Sequence, residues 1–183
     1  MLVSNVCGTG MDEEAAYRIA SQLAAALEAL HTAGVAHRHL SPEAIYFTDG
    51  ASGMLKLGSL HSAEVDGADT ANAPRGLVPG VPAYRAPEAW QPGPFAGAPV
   101  DMWAFGAIVY ELLHARTAFD GDSLPLLSLQ IRRLNHREVA PSLSSAATAL
   151  IKACLVREPM LRAGPRQMSH LHLNAWNKSV LAA

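Results

Sequence analysis

Eight histidines and two cysteines are the side chains of this 183-residue sequence best suited to holding a metal ion, and their spacing gives a metal little support. Cys7 and Cys154 lie far apart and form no CxxC pair. Reduced intracellular thiols are the simple expectation, with one disulfide between them left open. No HExxH-type spacing occurs. His170 and His172 lie two apart near an expected helix end, a poor spacing for one helical face. Ser62, Thr70 and Ser123 are candidate phosphorylation sites, but nothing around them separates them from any exposed hydroxyl. A GxGxxG loop, which would cradle phosphates, is absent from the sequence.

The elements that must position any site are mostly helical. Ala16, Ile19, Ala20, Leu23, Leu27 and Leu30 recur at helical spacing within residues 11–33, behind acidic Asp12, Glu13 and Glu14 and ahead of Gly34. From Val35 to Leu60, short apolar pieces alternate with turn formers, which predicts a small β-hairpin connected through Asp49–Gly53. Residues 62–99 are rich in Gly, Pro, Ala and Asp and predict a long loop, of the kind that is usually functional or mobile. In that loop Trp90 and Phe95 are candidates for a docking patch, or for a cover over the core. Pro99 then opens a helix from Val100 to about Ala115 that is apolar nearly all round, so it belongs in the middle of a domain. Further helices are predicted near 123–133, 143–156 and 165–175.

Half the residues are hydrophobic and 16% are charged, enough for one sizeable core. Fourteen Lys plus Arg against sixteen Asp plus Glu give a formal charge of −2, which offers no footprint for nucleic acid or an anionic membrane. No apolar run reaches the roughly 18 residues of a membrane span, and the first residues do not resemble a signal peptide. An intracellular, cytoplasmic setting is the expectation.

The order of motifs resembles the protein kinase family from the hinge between its two lobes onward, over residues 1–176. HRHLSPEAIYF, residues 37–47, looks like the family's catalytic loop HRDLKPENILL. LKLGSLH, residues 55–61, sits where the family has its DFG magnesium motif, and GVPAYRAPE, Gly80 to Glu88, is similar to GTPxYxAPE. VDMWAFGAIVYELL at 100–113 matches the DxWSxGxxxxEL helix, and Phe119-Asp120-Gly121 echoes the PF segment that follows it. The resemblance implies a mostly α C-terminal lobe with a small β-hairpin at the catalytic loop and no N-terminal lobe. It divides the chain into a hinge-like segment at 1–10, a lobe at 11–176 with an activation-segment-like loop at 62–99, and a tail at 177–183.

Phosphoryl transfer needs magnesium, a positioned nucleotide and a carboxylate that orients the substrate hydroxyl. By the resemblance, His39 stands for the catalytic aspartate, Ser41 for the phosphate-contacting lysine, Ala44 for the metal-binding asparagine and Ser59 for the DFG aspartate. A neutral imidazole supplies no negative charge, Ala44 has no ligand atom, and a serine hydroxyl does not replace a carboxylate on magnesium. Tyr46 falls where the family places an aliphatic side chain under adenine, and either fills that pocket or packs its ring. The scaffold positions are kept: His37 and Arg38, Asp101 as anchor of the catalytic-loop backbone, Leu60 as packing in place of phenylalanine, and Glu88 paired with Arg162. Arg38 in active kinases often meets a phosphorylated loop residue, yet Val81 stands at the aligned threonine and Thr70 is the only threonine in the loop. The resemblance also brings His37, His39 and His61 near one another. Three imidazoles suit zinc better than magnesium, against the plainer reading of one core and two solvated histidines.

The sequence thus implies a catalytically inactive, kinase-like lobe that binds another protein, a kinase or a kinase substrate, and needs no cofactor. The alternative is a divergent Ser/Thr kinase using ATP and magnesium, its N-lobe missing from this chain; Pro42-Glu43 resembles the Ser/Thr branch. A lobe alone would also expose the face that ordinarily meets its partner lobe.

Overall fold

A computed structural model of the chain describes residues 10–51, 53–65, 80–91 and 93–181. Nearly all of the hinge-like segment, Cys7, Thr70 and the middle of the long loop lie outside the described residues.

Helix α1, Glu13–Thr32, starts where Asp12 caps it, the Asp12 side chain accepting from the Ala15 amide at 2.7 Å. It ends at Ala33, followed by Gly34 at φ 69°, a left-handed conformation that glycine adopts without a Cβ penalty. Its apolar stripe of Ile19, Leu23 and Leu27 is buried. Two short antiparallel pairs follow. Strand β1, Val35–Ala36, pairs with β4, Glu64–Val65, while β2, Ile45–Ala51, pairs with β3, Leu55–Leu57. The predicted hairpin is present, but β2 runs through Ala51, so its connection is shorter than Asp49–Gly53. Register pairs Ile45 with Leu57 and Phe47 with Leu55 on one face, and Tyr46 with Lys56 on the other.

Helix α2, Gly97–His114, is the axis of the fold. Every residue from Val100 to Leu113 is buried, including Asp101, Trp103, Phe105 and Tyr110. It begins two residues before Pro99, which sits in its first turn, where a missing amide hydrogen leaves no helical bond unmade. Helix α1 packs along one side of α2, and α4, Ser145–Cys154, along another. A Cβ on Gly106 would come 2.3 Å from the Cβ of Cys154, so glycine sets how closely α2 and α4 approach. Cys154 itself is a free, fully buried thiol, and burial pushes its pKa up. Helix α3, Leu124–Arg132, is capped by Ser123, whose hydroxyl accepts from the Leu126 amide at 3.4 Å. That gives Ser123 a structural task rather than a free hydroxyl.

The last helical stretch is longer than the predicted 165–175. Helix α5, Pro165–Gln167, passes through π-helical Met168–Leu173 into α6, Asn174–Leu181. The expected tail at 177–183 is therefore helical through Leu181, and Val180 packs on the core. The ends of the chain are tied through Glu13. Its carboxylate accepts from the Ser144 amide and hydroxyl, both at 2.7 Å, and from the Trp176 indole at 2.6 Å. Burial pushes the Glu13 carboxyl up, but these hydrogen bonds outweigh it and leave its pKa below the ordinary value.

Candidate functional site

Asp101, on the first turns of α2, organises the loop that carries His37 to Ala44. One carboxylate oxygen accepts from the Arg38 amide at 2.7 Å, and the other accepts from the His37 amide at 2.8 Å and meets the His31 ring at 2.8 Å. Arg38 adopts φ 61°, a sparsely populated region for a non-glycine residue, and the Asp101 bonds hold it there. The start of α2 lies tight against this loop. A Cβ on Gly97 would stand 2.4 Å from the Cβ of Ala36 and 3.2 Å from the Cγ of Arg38. His37 is fully buried with both ring nitrogens engaged: Nε2 donates to the Gly58 carbonyl at 2.8 Å and Nδ1 accepts from the His39 amide at 3.3 Å. No lone pair of His37 remains for a metal.

His39 is half-buried, with its ring edge-on to His61 at a centroid distance of 4.6 Å. Burial holds its imidazole below the usual pKa, helped by His61, His37 and Arg85 and opposed by Glu43. Ser41 is buried, and its hydroxyl donates to Glu43 at 2.7 Å. Ala44 is buried and joins the loop to the hairpin, its carbonyl accepting from the Gly58 amide at 2.9 Å. Ser59 takes φ 59° and ψ 38° at the turn after β3. Such left-handed geometry costs an aspartate or asparagine little and a serine more. Among the described residues, no group of three or more His, Cys, Asp or Glu is placed to hold a metal ion. The histidines converge as a ring contact rather than as a zinc donor set. At the two aligned metal positions Ala44 has no ligand atom and Ser59 offers a neutral hydroxyl in place of a carboxylate.

Leu60 was expected to pack in place of the family's phenylalanine. It does not: its side chain is 48% exposed, because no described element lies over it. Tyr46 is 53% exposed and lays its ring against Gly58, where an added Cβ would come 2.7 Å from Cε2. Of the two alternatives for Tyr46, the geometry shows a ring packed on backbone with much of its surface in solvent. Met54 and Val65 are exposed as well.

At the far end of the loop, Glu88 and Arg162 form a two-point ion pair at 2.8 and 3.2 Å. The Arg162 side chain is wholly buried and also donates to the carbonyls of Val156 and Pro99. Trp90 and Phe95 pack on the core, beneath the guanidinium groups of Arg85 and Arg38 respectively, at 4.6 and 4.9 Å. They serve as cover, not as a projecting patch. Three participants were missed in the sequence. Glu64 pairs with Arg38. Tyr84 donates to buried Glu111. Arg85, set between matched positions of GVPAYRAPE, lines a small cleft open to solvent together with Arg38, His39, Val81 and Tyr84. A positive charge at a position the family motif leaves open was the available signal.

The mostly helical architecture, the loop pinned by a buried aspartate and the Glu–Arg clasp are those of a protein kinase domain. The chain belongs to the protein kinase domain family, whose sequence pattern matches residues 3–173. It is 29% identical over 179 residues to calcium/calmodulin-dependent protein kinase type 1B of Mus musculus, covering 93% of this chain and 51% of that protein. It is 32% identical over 153 residues to the carbon catabolite-derepressing protein kinase of Saccharomyces cerevisiae, 83% of this chain and 23% of the relative. Similarity to serine/threonine-protein kinase nekl-2 of Caenorhabditis elegans is 30% over 135 residues, 74% and 36% of the two chains. The chain thus spans about half or less of these relatives' lengths. Among the described residues, no helix is long and apolar enough to cross a membrane.

Proposed function

We infer that this chain is the C-terminal lobe of a pseudokinase, a member of the Ser/Thr branch that has kept the fold and lost phosphoryl transfer, and that it acts by binding another protein. The observation that carries this reading is the state of the loop Asp101 holds. The scaffold is in place, yet the side chains it presents are His39, a Ser41 bound to Glu43, a buried Ala44 and Ser59. Loss of one charge-stabilising group in such a site typically costs about a hundredfold or more in rate, and groups that act as a unit fail together. The exposed side chains Tyr46, Met54, Leu60 and Val65 support a protein-binding role, since they leave large apolar side chains in solvent.

The test is thermal denaturation of the purified chain with millimolar ATP, with and without magnesium, beside a radiolabelled phosphotransfer assay. A ligand that binds only the folded state raises the melting temperature. No magnesium-dependent shift and no transfer are expected. Magnesium-dependent stabilisation with label transferred to protein would overturn the reading and establish a divergent Ser/Thr kinase. A shift indifferent to magnesium, without transfer, leaves a nucleotide-binding pseudokinase.

A further inference from the structure

His114 closes α2 at a point where both of its ring nitrogens meet backbone groups of fixed role. Nδ1 lies 2.7 Å from the Tyr110 carbonyl, which can only accept, so this nitrogen carries a proton. Nε2 lies 3.0 Å from the Ala140 amide, which can only donate, so this nitrogen is bare. Together the two contacts require a neutral ring in one tautomer. The ring is stacked on Tyr110, with centroids 3.9 Å apart and 7° between the planes. Ala140 ends the stretch 135–140, which lies between α3 and α4 and forms no helix or strand. The rest of the stretch is tied to the same corner. The Arg137 amide donates to the Ala118 carbonyl at 2.8 Å, and the Tyr110 hydroxyl donates to the Glu138 carbonyl at 3.0 Å. Helix α3 in turn packs on the turns Pro82–Tyr84 and Pro87–Trp90.

We propose that His114 is a pH-sensitive latch, which holds the Ala140 end of this stretch on α2 while the ring is neutral and releases it when Nε2 takes a proton. A proton on Nε2 points at the Ala140 amide hydrogen, so donor meets donor and the bond is lost. Burial disfavours the charged ring and the Arg116 guanidinium adds to it, while the bond to the Tyr110 carbonyl opposes them. The carboxy-terminal end of α2 and the π face of Tyr110 also favour charge. Burial prevails, and the imidazole titrates below its ordinary value of 6.5. The other charged groups of the corner have their own partners or face water. Arg137 pairs with Asp120, and Glu13 is engaged by Ser144 and Trp176. The Glu138 side chain is exposed, and His136 donates to the Arg137 carbonyl and stands edge-on to Phe119. The Gly10–Met11 backbone, also against the end of α2, carries no charge. The latch is therefore whole above about pH 6.5 and weakens as pH falls from there through the lower value of the closed ring. It works whether or not the chain transfers phosphate.

The experiment is NMR on the whole ¹⁵N-labelled chain between about pH 7.5 and 5, where imidazole changes charge. Long-range ¹H–¹⁵N spectra read which nitrogen of His114 holds the proton. Amide hydrogen exchange, corrected for the pH dependence of an open amide, reads the latch. At the upper pH the proton is expected on Nδ1, with Nε2 bare. Protection of the Ala140 amide is expected to fall at least fivefold across the range, together with the titration of the His114 ring. Leu23 of α1 and Ile108 of α2 should change less than about twofold, since the release is local. His114→Gln, which offers an acceptor that does not titrate, should flatten the response at Ala140, and His136→Gln should leave it unchanged. A proton on Nε2 at the upper pH would overturn the proposal. So would Ala140 protection that holds across the range, or that falls only in step with Leu23 and Ile108. A fall that persists in His114→Gln, or disappears in His136→Gln, would assign the effect to another group and end the idea equally. The tautomer and the shared midpoint are read on the parent chain, so they decide the matter even where His114→Gln fails to fold.

Discussion

At the scale of single residues, Asp101 sets the shape of the loop without touching solvent. It carries three hydrogen-bonding contacts on two oxygens, and its neighbours in sequence belong to a helix while its partners, more than sixty residues earlier, are the His37 and Arg38 amides of the loop and the His31 ring at the end of α1. Hydrogen bonds to charged groups are worth roughly 1.5–3 kcal/mol each and do not simply add. Asp101→Asn keeps one acceptor and turns the other towards a donor. We expect it to cost about 3 kcal/mol, a fall of roughly 6–12 °C in melting temperature for a chain of this size. Hydrogen exchange at the His37 and Arg38 amides should accelerate more than exchange within α1. Uniform acceleration would instead show that the loop does not depend on this aspartate. The conformation Arg38 is held in, φ 61°, gives the loop a reason to relax once the bonds are gone.

At the scale of elements, the clasp between Glu88 and Arg162 joins the end of the long loop to the segment before α5. Breaking a buried ion pair from one side leaves an uncompensated charge, at a cost of roughly 3–5 kcal/mol. Arg162→Ala should therefore lower the melting temperature by on the order of 10 °C. Arg162→Lys should recover only part of it, because an ammonium cannot form the two-point contact. Full recovery by lysine would mean that charge alone, and not the guanidinium fork, fixes the loop. The clasp was legible in the sequence because Glu88 ends the GVPAYRAPE motif and Arg162 falls where the family resemblance places that glutamate's partner. So were α1 and α2, whose apolar positions declare a stripe in one case and full burial in the other. What the sequence hid was set by tertiary surroundings. Leu60 is as apolar as a core residue, and only the absence of a described element above it leaves it exposed. Arg85 lies in a turn whose neighbours are all accounted for by pattern, so its part in a cleft depends on how Gly80 and His39 converge. The stretch from Pro165 to Leu181 was under-read because a π-helical turn breaks the 3.6-residue period on which the prediction relies.

For the whole molecule, Glu13 ties the first helix to α4 and α6. Removing its carboxylate with Glu13→Ala leaves the Trp176 indole and the Ser144 donors without their acceptor, and should cost about 3 kcal/mol in urea unfolding. The pH dependence has a definite sign. The folded pKa of Glu13 lies below 4.5, so its contribution is present above that value and is lost as pH falls through the lower, folded one. Glu13→Gln should lack this share of the acid-side loss. Parallel decline of the two proteins between roughly pH 5 and 3 would show that the carboxylate's charge is not what Ser144 and Trp176 recognise.

The same contact sets a clock on biosynthesis. Glu13 and Trp176 stand 163 positions apart. At about 5–20 residues per second, the first helix waits on the order of ten seconds or more on the ribosome before its partner has been made. During that interval α1 holds an apolar stripe with nothing yet to cover its far end. Until α6 emerges, the Glu13 carboxylate stands without the indole that binds it.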